Sequence, residues 1–458
     1  MPAGPTVLIM AAGHGTRMRS SLPKVLHPVC GRPMLLWVAE AARGAGAQRV
    51  VAITRPGEGV AEHLPDEIEN ASQTDGEGTG NAVLAARDAI EREATVLVLS
   101  GDHPLVSPQL IAALVETHER ESAHATLLTT SALDPAGYGR IVRGDDGAVE
   151  RIVETKHTGG VAPEELAIRE INIGAYAFSG GALLDALERV TEEQGERYLT
   201  AAFPLIREAG GLIAGHETED ASSAMGVNTR ADLMEIERHA RRALLEEHAR
   251  GGVSFPNPDT VTIDAGVEIG EDTVIEPGTT LRGATVIGTG STIGPATTVE
   301  NSEIGEGVTV LHSYLTHCVV GNGASIGPFA YLRPKADIGE GAKIGTYVEV
   351  KNSEIGAGAK IPHLSYIGDA EVGEGANVAA GNITANYDAR EKHRTKIGAG
   401  VKTGVNTSFV APVTVGEGAY IGAGSVIVDD VPPGALGIAR PKQKNVEGYA
   451  DHVERRPR

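Results

Sequence analysis

From residue 260 onward the hydrophobic positions recur about every six residues. Ile263, Ile269, Ile275, Leu281, Ile287, Ile293 and Val299 stand six apart without a break. Val320, Ile326, Leu332, Ile338, Ile344 and Val350 repeat that spacing, as do Ile397, Thr403, Phe409, Val415, Ile421 and Ile427. A repeat this regular predicts a parallel β-helix. Each unit is a short strand and a turn, and three units close a triangular coil. The aliphatic residue of each unit points inward, so successive coils stack a continuous core. Gly288, Gly294, Gly305, Gly321 and Gly327 fit corners where a Cβ would collide. The period shortens to five at Val299–Ile304, Val350–Ile355 and Ile367–Val372, which reads as corner adjustment. Between Thr384 and Ile397 the step is thirteen, so Ala385–Arg394 must leave the prism as a loop. Loops ejected from a rigid scaffold often carry function.

The first 228 residues have a different rhythm. Val7–Met10, Val50–Ile53, Val96–Ser100 and Ala125–Thr130 read as buried strands, and Pro33–Gly44, Gly80–Arg92 and Pro108–Glu121 as helices between them. That alternation predicts a parallel, Rossmann-like α/β sheet with sites at the carboxyl ends of its strands. Thr229–Arg250 lacks Gly and Pro and carries Leu233, Ile236, Ala240, Leu244 and Leu245 at helical spacing. The expected domains are therefore an α/β domain over 1–228, a linker helix over 229–250 and a β-helix with a basic tail over 251–458.

Composition narrows the function. Aromatics make up 3% of the 458 residues and glycines number 59, which suits thin coils packed with Val and Ile. A net charge of -21 argues against nonspecific nucleic-acid binding. Anionic substrates would then require local Arg and Lys to invert the field. Cys30 and Cys318 are too far apart in sequence for a disulfide framework or a Cys-based metal site. The N-terminus lacks the pattern of a signal peptide and no apolar run approaches a membrane span, so a soluble, cytoplasmic protein is expected.

After the first strand comes Ala11-Ala12-Gly13-His14-Gly15-Thr16-Arg17-Met18, then Leu22-Pro23-Lys24. Small residues let backbone N–H groups approach a phosphate, and Arg17 and Lys24 add positive charge. The string resembles the signature of sugar-1-phosphate nucleotidylyltransferases. Its spacing is not that of a Walker loop, so ATP hydrolysis is not implied. Asp102 follows the strand ending at Ser100, where a carboxylate is well placed to hold Mg²⁺ on substrate phosphates.

Polar residues interrupt the β-helix within a few coils: Arg333, Glu349, Lys351, His363, Tyr366, Asn377, Asn386, Tyr387 and Lys392. A histidine can take the proton of an amine that attacks a thioester. The cations can hold a sugar phosphate, and Glu349 can orient the imidazole or the amine. The same β-helix architecture serves mostly in acyltransferases, and elsewhere as a structural appendage.

Taken together, from Met10 through Arg440, the chain resembles the bacterial family of bifunctional N-acetylglucosamine-1-phosphate uridylyltransferases and glucosamine-1-phosphate N-acetyltransferases. The resemblance implies a left-handed β-helix and synthesis of UDP-N-acetylglucosamine. Acetyl-CoA would acetylate glucosamine-1-phosphate, and UTP would then uridylylate N-acetylglucosamine-1-phosphate. It implies that Gln73, Gly78 and Thr79 bind uracil and that Gly139, Glu154 and Asn172 bind the sugar. Met10, Ala11, Ala12, Gly13, Lys24 and Ser100 complete that substrate set. Asp102 and Asn228 would hold Mg²⁺, with Arg17 and Lys24 catalytic beside it. In the β-helix, His363 would be the proton acceptor. Arg333, Glu349, Lys351, Tyr366, Asn377 and Asn386 would bind the sugar phosphate, and Ala380, Tyr387, Val405, Ala423 and Arg440 acetyl-CoA. Enzymes of this shape are trimers with sites between subunits. The chain departs from the family at three places: Val405 replaces a usual serine, Ala201 a frequent aspartate, and Thr74-Asp75-Gly76-Glu77 an apolar-containing run. The rival readings are a monofunctional nucleotidylyltransferase with a structural β-helix, a zinc lyase using His312 and His317, and a non-catalytic regulator.

Overall fold

Alternate residues of strand β1 (Thr6–Met10) enter two different cores, and this fixes the layering of the N-terminal unit. Leu8 packs with Val51, Val98 and Phe178 on one face, while Val7 and Ile9 pack with Val50, Ala52, Leu97 and Leu99 on the other. A strand buried on both faces must be apolar throughout, as this one is. The structure is a computed structural model. It describes residues 4–145, 147–155, 161–192 and 195–454. The chain divides into two units, Met1–Arg241 and Arg242–Arg458.

Apart from the short hairpin pairing Pro28–Val29 with Arg32–Pro33, the remaining strands of the first unit are β2 (Arg49–Thr54), β3 (Glu69–Ser72), β4 (Thr95–Ser100), β5 (Ala125–Thr130), β6 (Arg140–Arg143), β7 (Val149–Val153), β8 (Ile171–Ser179) and β9 (Ile213–Glu217). β1 and six of them form the path β9-β5-β8-β4-β1-β2-β3. Helices Met34–Gly44 and Pro108–Arg120 cover one face; Thr79–Ala85, Gly180–Arg189 and Ala202–Glu208 cover the other. The expectation of an all-parallel sheet is corrected by β8, which runs antiparallel to both β4 and β5. A parallel neighbour needs a crossover. Here the chain leaves the carboxyl end of β5, makes the antiparallel pair β6–β7, and re-enters beside Thr130 at Ile171. The helix expected over 80–92 also ends early: it stops at Ala85, and a 3-10 turn over Arg87–Ala89 brings Ala89 and Ile90 into the core.

Ser107 caps the helix Pro108–Arg120, accepting the Leu110 N–H at 3.1 Å. Near the end of this helix His118 is buried, its Nδ1 2.9 Å from Thr126 Oγ1. Burial, helped by His124, pushes its pKa down to about 4. The folded value lies below the unfolded one, so stability is intact above about pH 6.5 and is lost as pH falls toward 4. About 2 kcal/mol of N-terminal stability should disappear between pH 7 and pH 5. Urea unfolding followed at Trp37, the single tryptophan, checks this. A His118→Asn chain should show a flatter pH dependence.

The helix expected over 229–250 is continuous from Arg230 to Arg250. Ile236 and Ala240 are buried, and Leu245 joins the core of the second unit.

The second unit is the β-helix that the repeat predicts. Strands of the three faces start at Thr262–Ile263, Glu268–Ile269 and Val274–Ile275 and stack in parallel, making ten-, nine- and six-stranded sheets. Nearly every inward position named above is buried, including the five-residue steps at Ile304, Ile355 and Val372. The third face continues beyond Lys360–His363 as single pairings through Asn377, Lys402 and Tyr420. Corners require left-handed backbone, and His312 (φ 41°), Phe329 (φ 61°), Tyr347 (φ 55°) and Leu364 (φ 51°) occupy one corner in successive coils. His312 packs its ring 5.7 Å from that of Phe329, and His317 pairs with Thr316 Oγ1 at 2.7 Å. Both histidines are corner residues, as the alternative to a zinc site requires. The ejected loop is a tight hairpin: Tyr387 pairs with Lys392, and the Asp388 carboxylate accepts the N–H groups of Arg390 and Glu391 at 2.9 and 2.8 Å.

Candidate active sites

A cavity of about 430 Å³ opens at the carboxyl ends of β1, β2 and β4. Met10, Ala12, Gly13, Arg17, Lys24, Gln73, Gly78, Thr79, Ser100, Asp102 and Asn228 line it, together with His14, Arg55, Glu77 and Tyr198. Ala11 does not: its side chain is buried and its N–H is bonded to Ile53 O at 2.9 Å.

One end of the cavity concentrates charge. Lys24 is ion-paired with Asp102, whose other oxygen accepts from Ser100 Oγ at 2.7 Å and faces His103 Nδ1 at 2.9 Å. Burial alone would raise the Asp102 carboxyl, but His103 and Lys24 outweigh it and hold the group well below the usual carboxylate range. Val227 N–H donates to Asp102 O at 2.9 Å, which brings Asn228 to the same end. Arg17 donates to Asn228 Oδ1 at 2.7 Å. A carboxylate and an amide oxygen are hard donors, of the kind Mg²⁺ takes alongside substrate phosphates. In this structure each is matched with a cation, so the donor chemistry fits the ion.

Gln73, Gly78 and Thr79 line the same cavity. Gln73 is buried, its Nε2 donating to Gly76 O at 2.9 Å. Gly78 has φ 95°, and a Cβ there would stand 2.4 Å from Arg197 O, so only glycine fits. Thr79 Oγ1 accepts Leu199 N–H at 2.9 Å.

Gly139, Glu154 and Asn172 do not line this cavity. They form an adjoining strip on β6 to β8. Gly139 O accepts Asn172 N–H at 2.9 Å, and Asn172 Nδ2 donates to Tyr176 OH at 2.7 Å. Thr200 donates to Glu154 at 3.1 Å and follows Leu199, which ties the strip to Thr79. Ala201 is partly buried against the core beside it.

On the β-helix, the first face gathers a second set. Arg333 donates to Glu349 at 2.8 Å and stacks over Tyr331 at 5.8 Å. Lys351 donates to Asp369 at 3.3 Å, and Asn352 at 2.5 Å. Asn386 also donates to Asp369 and lies 3.5 Å from Tyr366 OH. Burial raises the Asp369 carboxyl, yet the bonds from Asn352, Asn386 and Lys351 overcome it and hold the group below the usual range. Lys392 lies against Lys351; the contact raises Lys351 and lowers Lys392, so Lys351 keeps its proton to higher pH.

His363, Ala380, Val405 and Ala423 form a separate column along the corner after the third face. Gly381 N–H donates to His363 O at 3.2 Å, Asn406 N–H to Ala380 O at 2.8 Å, and Gly424 N–H to Val405 O at 2.9 Å. The His363 side chain is exposed. Asn377 lies out on the third face between Lys360 and Lys402, and Tyr387 and Arg440 are exposed. One chain therefore does not bring all the predicted acetyl-transfer residues together.

Sequence reasoning missed Asp369, the hub of the first-face cluster, and Arg55 and His103 near the N-terminal cavity. Asp369 sits at φ 51° in a corner, where a polar residue gives no signal of its own. Tyr138, inside the family-like block Gly137-Tyr138-Gly139-Arg140, meets the backbone of Gly226 in the block that ends at Asn228.

Comparison with known proteins agrees with both halves. A MobA-like NTP transferase domain model matches residues 7–208. A bacterial transferase hexapeptide model of six repeats matches residues 266–301, 317–352 and 394–429, consistent with the left-handed form of the β-helix. The Bifunctional protein GlmU of Listeria monocytogenes serotype 4a (strain HCC23) is 44% identical over 450 residues, 97% of this chain and 98% of that relative. Its namesake in Shouchella clausii is 43% identical over 451 residues, covering 98% and 99%. That of Mycolicibacterium vanbaalenii is 44% identical over 455 residues, covering 97% and 92%. The chain belongs to the GlmU family of bifunctional transferases, uridylyltransferase and acetyltransferase in one polypeptide.

Proposed function

We propose that the two reactions divide between the units as follows. The N-terminal cavity binds UTP and N-acetylglucosamine-1-phosphate and joins them with release of pyrophosphate. The pairing of Lys24 with Asp102 and of Arg17 with Asn228, on the wall of the cavity that Gln73, Gly78 and Thr79 also line, carries this reading. It sets charge where phosphates would lie, with Gln73, Gly78 and Thr79 left to meet the base. Gly139, Glu154 and Asn172 offer the sugar a strip of backbone, carboxylate and amide beside it. Asp102 and Asn228 would hold Mg²⁺, which supplies charge neutralisation on the phosphates when bound. In-line phosphoryl chemistry asks little else of a protein than positioning and positive charge, and Arg17 and Lys24 provide both.

The β-helix transfers the acetyl group of acetyl-CoA to glucosamine-1-phosphate. Arg333 and Lys351 bind the sugar phosphate, with Glu349, Tyr366, Asn377 and Asn386 around the sugar. His363 accepts the amine proton as the C–N bond forms and the C–S bond breaks. Ala380, Tyr387, Val405, Ala423 and Arg440 take the coenzyme. The divergence of these groups over two faces supports a homotrimer with sites between subunits, which light scattering of the native particle tests. No described helix is long and apolar enough to cross a membrane, in keeping with a cytoplasmic enzyme.

A product assay with UTP, glucosamine-1-phosphate and acetyl-CoA, each omitted in turn, tests both halves. A monofunctional nucleotidylyltransferase would consume no acetyl-CoA. Restoring the family's serine with Val405→Ser should lower the KM for acetyl-CoA about two- to twelvefold, the effect of one regained hydrogen bond of roughly 0.5–1.5 kcal/mol. Steady-state kinetics at saturating sugar phosphate read it; an unchanged KM places Val405 away from the acetyl group.

A further inference from the structure

Glu77 departs from the apolar-containing run that the family carries before its uracil-binding Gly-Thr, and it puts a carboxylate on the wall of a cavity meant for a triphosphate. Uncompensated, that charge would repel the nucleotide. Arg55 meets it. Its NH1 and NH2 donate to the two Glu77 oxygens at 3.0 and 2.8 Å, a fork-to-fork pair, and its Nε faces Ala12 O at 3.3 Å. The three residues follow β2, β3 and β1, which are neighbours in the sheet. Arg55 thus reaches from the small-residue loop after β1 to the segment before Gly78 and Thr79, crossing the end of its own strand.

The pair is not explained by stability. The side chains are 20% and 49% exposed, and ion pairs so placed contribute little to folding. Both residues line the cavity. His14 stands nearby, 3.8 Å from Glu77 and 2.8 Å from Glu58, so each of these carboxylates has a basic neighbour.

We propose that Arg55 is a positioning residue for the uridylyl reaction: it cancels Glu77 and clasps the phosphate loop to the base-binding segment, so that the triphosphate does not meet the bare Glu77 charge. This rests on the assignment of the cavity to UTP. That assignment fails if the unaltered enzyme makes no UDP-sugar, whereas the clasp is judged only on the variants. Arg55→Gln should raise the KM for UTP about tenfold, with kcat within twofold. The informative arm is suppression. Adding Glu77→Gln should bring the KM back to within about threefold of the parent, because the bare carboxylate is removed together with its partner. Glu77→Gln alone should stay within about threefold.

A double variant as poor as Arg55→Gln, or worse, overturns the proposal, since Arg55 would then act on the nucleotide directly. An unchanged KM in Arg55→Gln overturns it too. If that variant loses all uridylyl transfer through misfolding, Arg55→Lys decides. It keeps the charge without the fork, and a parental KM for it refutes the clasp while a rise of about threefold supports it. Acetyl transfer by the same chains should be unaltered throughout.

Discussion

Replacing Asp102 with alanine should lower uridylyl transfer by at least about 10³-fold, while acetyl transfer by the same chain stays at its parental rate. The carboxylate is the most heavily served group of the N-terminal cavity, held by Ser100, His103 and Lys24. It remains ionised far into acid because those partners outweigh burial. The alanine variant strands the Lys24 ammonium, which is only 14% exposed, and so invites a folding defect. Asp102→Asn separates the two effects. It keeps the shape and the bond from Ser100 but carries no charge, so it should fold, keep Trp37 fluorescence, and still fall by at least about 10²-fold. The dependence of rate on Mg²⁺ is the second readout. A variant that retains transfer at ordinary Mg²⁺ would remove Asp102 from the metal site.

The register of the β-helix was open to reading because burial of one residue in six is a one-dimensional signal. Ile263 through Ile427 keep it in spite of one-residue corner changes. The loop after Thr384 was found for the same reason, as an excess over the period. Strand direction has no such signal. β8 reads as apolar whichever way it runs, and its reversal comes from the β6–β7 pair that returns the chain to Thr130's edge. The motif around Gly13 was legible because glycines and fixed cations at that spacing have few other uses. Asp369 was not, because its importance lies in what two other segments bring to it: Lys351 and Asn352 from the coil before, and Asn386 from the ejected loop. Arg55 and Glu77 are 22 residues apart and each reads as an ordinary surface charge. Only the adjacency of β1, β2 and β3 makes them a pair.

His363→Ala should lower kcat for acetyl transfer at least about 10²-fold, with the KM for acetyl-CoA within threefold and uridylyl transfer unchanged. The imidazole is exposed on a corner, and its backbone is fixed by Thr346 on one side and Gly381 on the other. Removing it leaves no cavity and no buried partner, so stability should hold. A proton acceptor has a further signature. Without it the amine of glucosamine-1-phosphate must lose its proton to water, and the deficit should narrow as pH rises. Loss through misplaced coenzyme would instead raise the KM and persist at every pH. Measurement of kcat and KM from pH 6 to pH 9 tells these apart. A variant that keeps more than a tenth of the parental kcat would take His363 out of the chemistry.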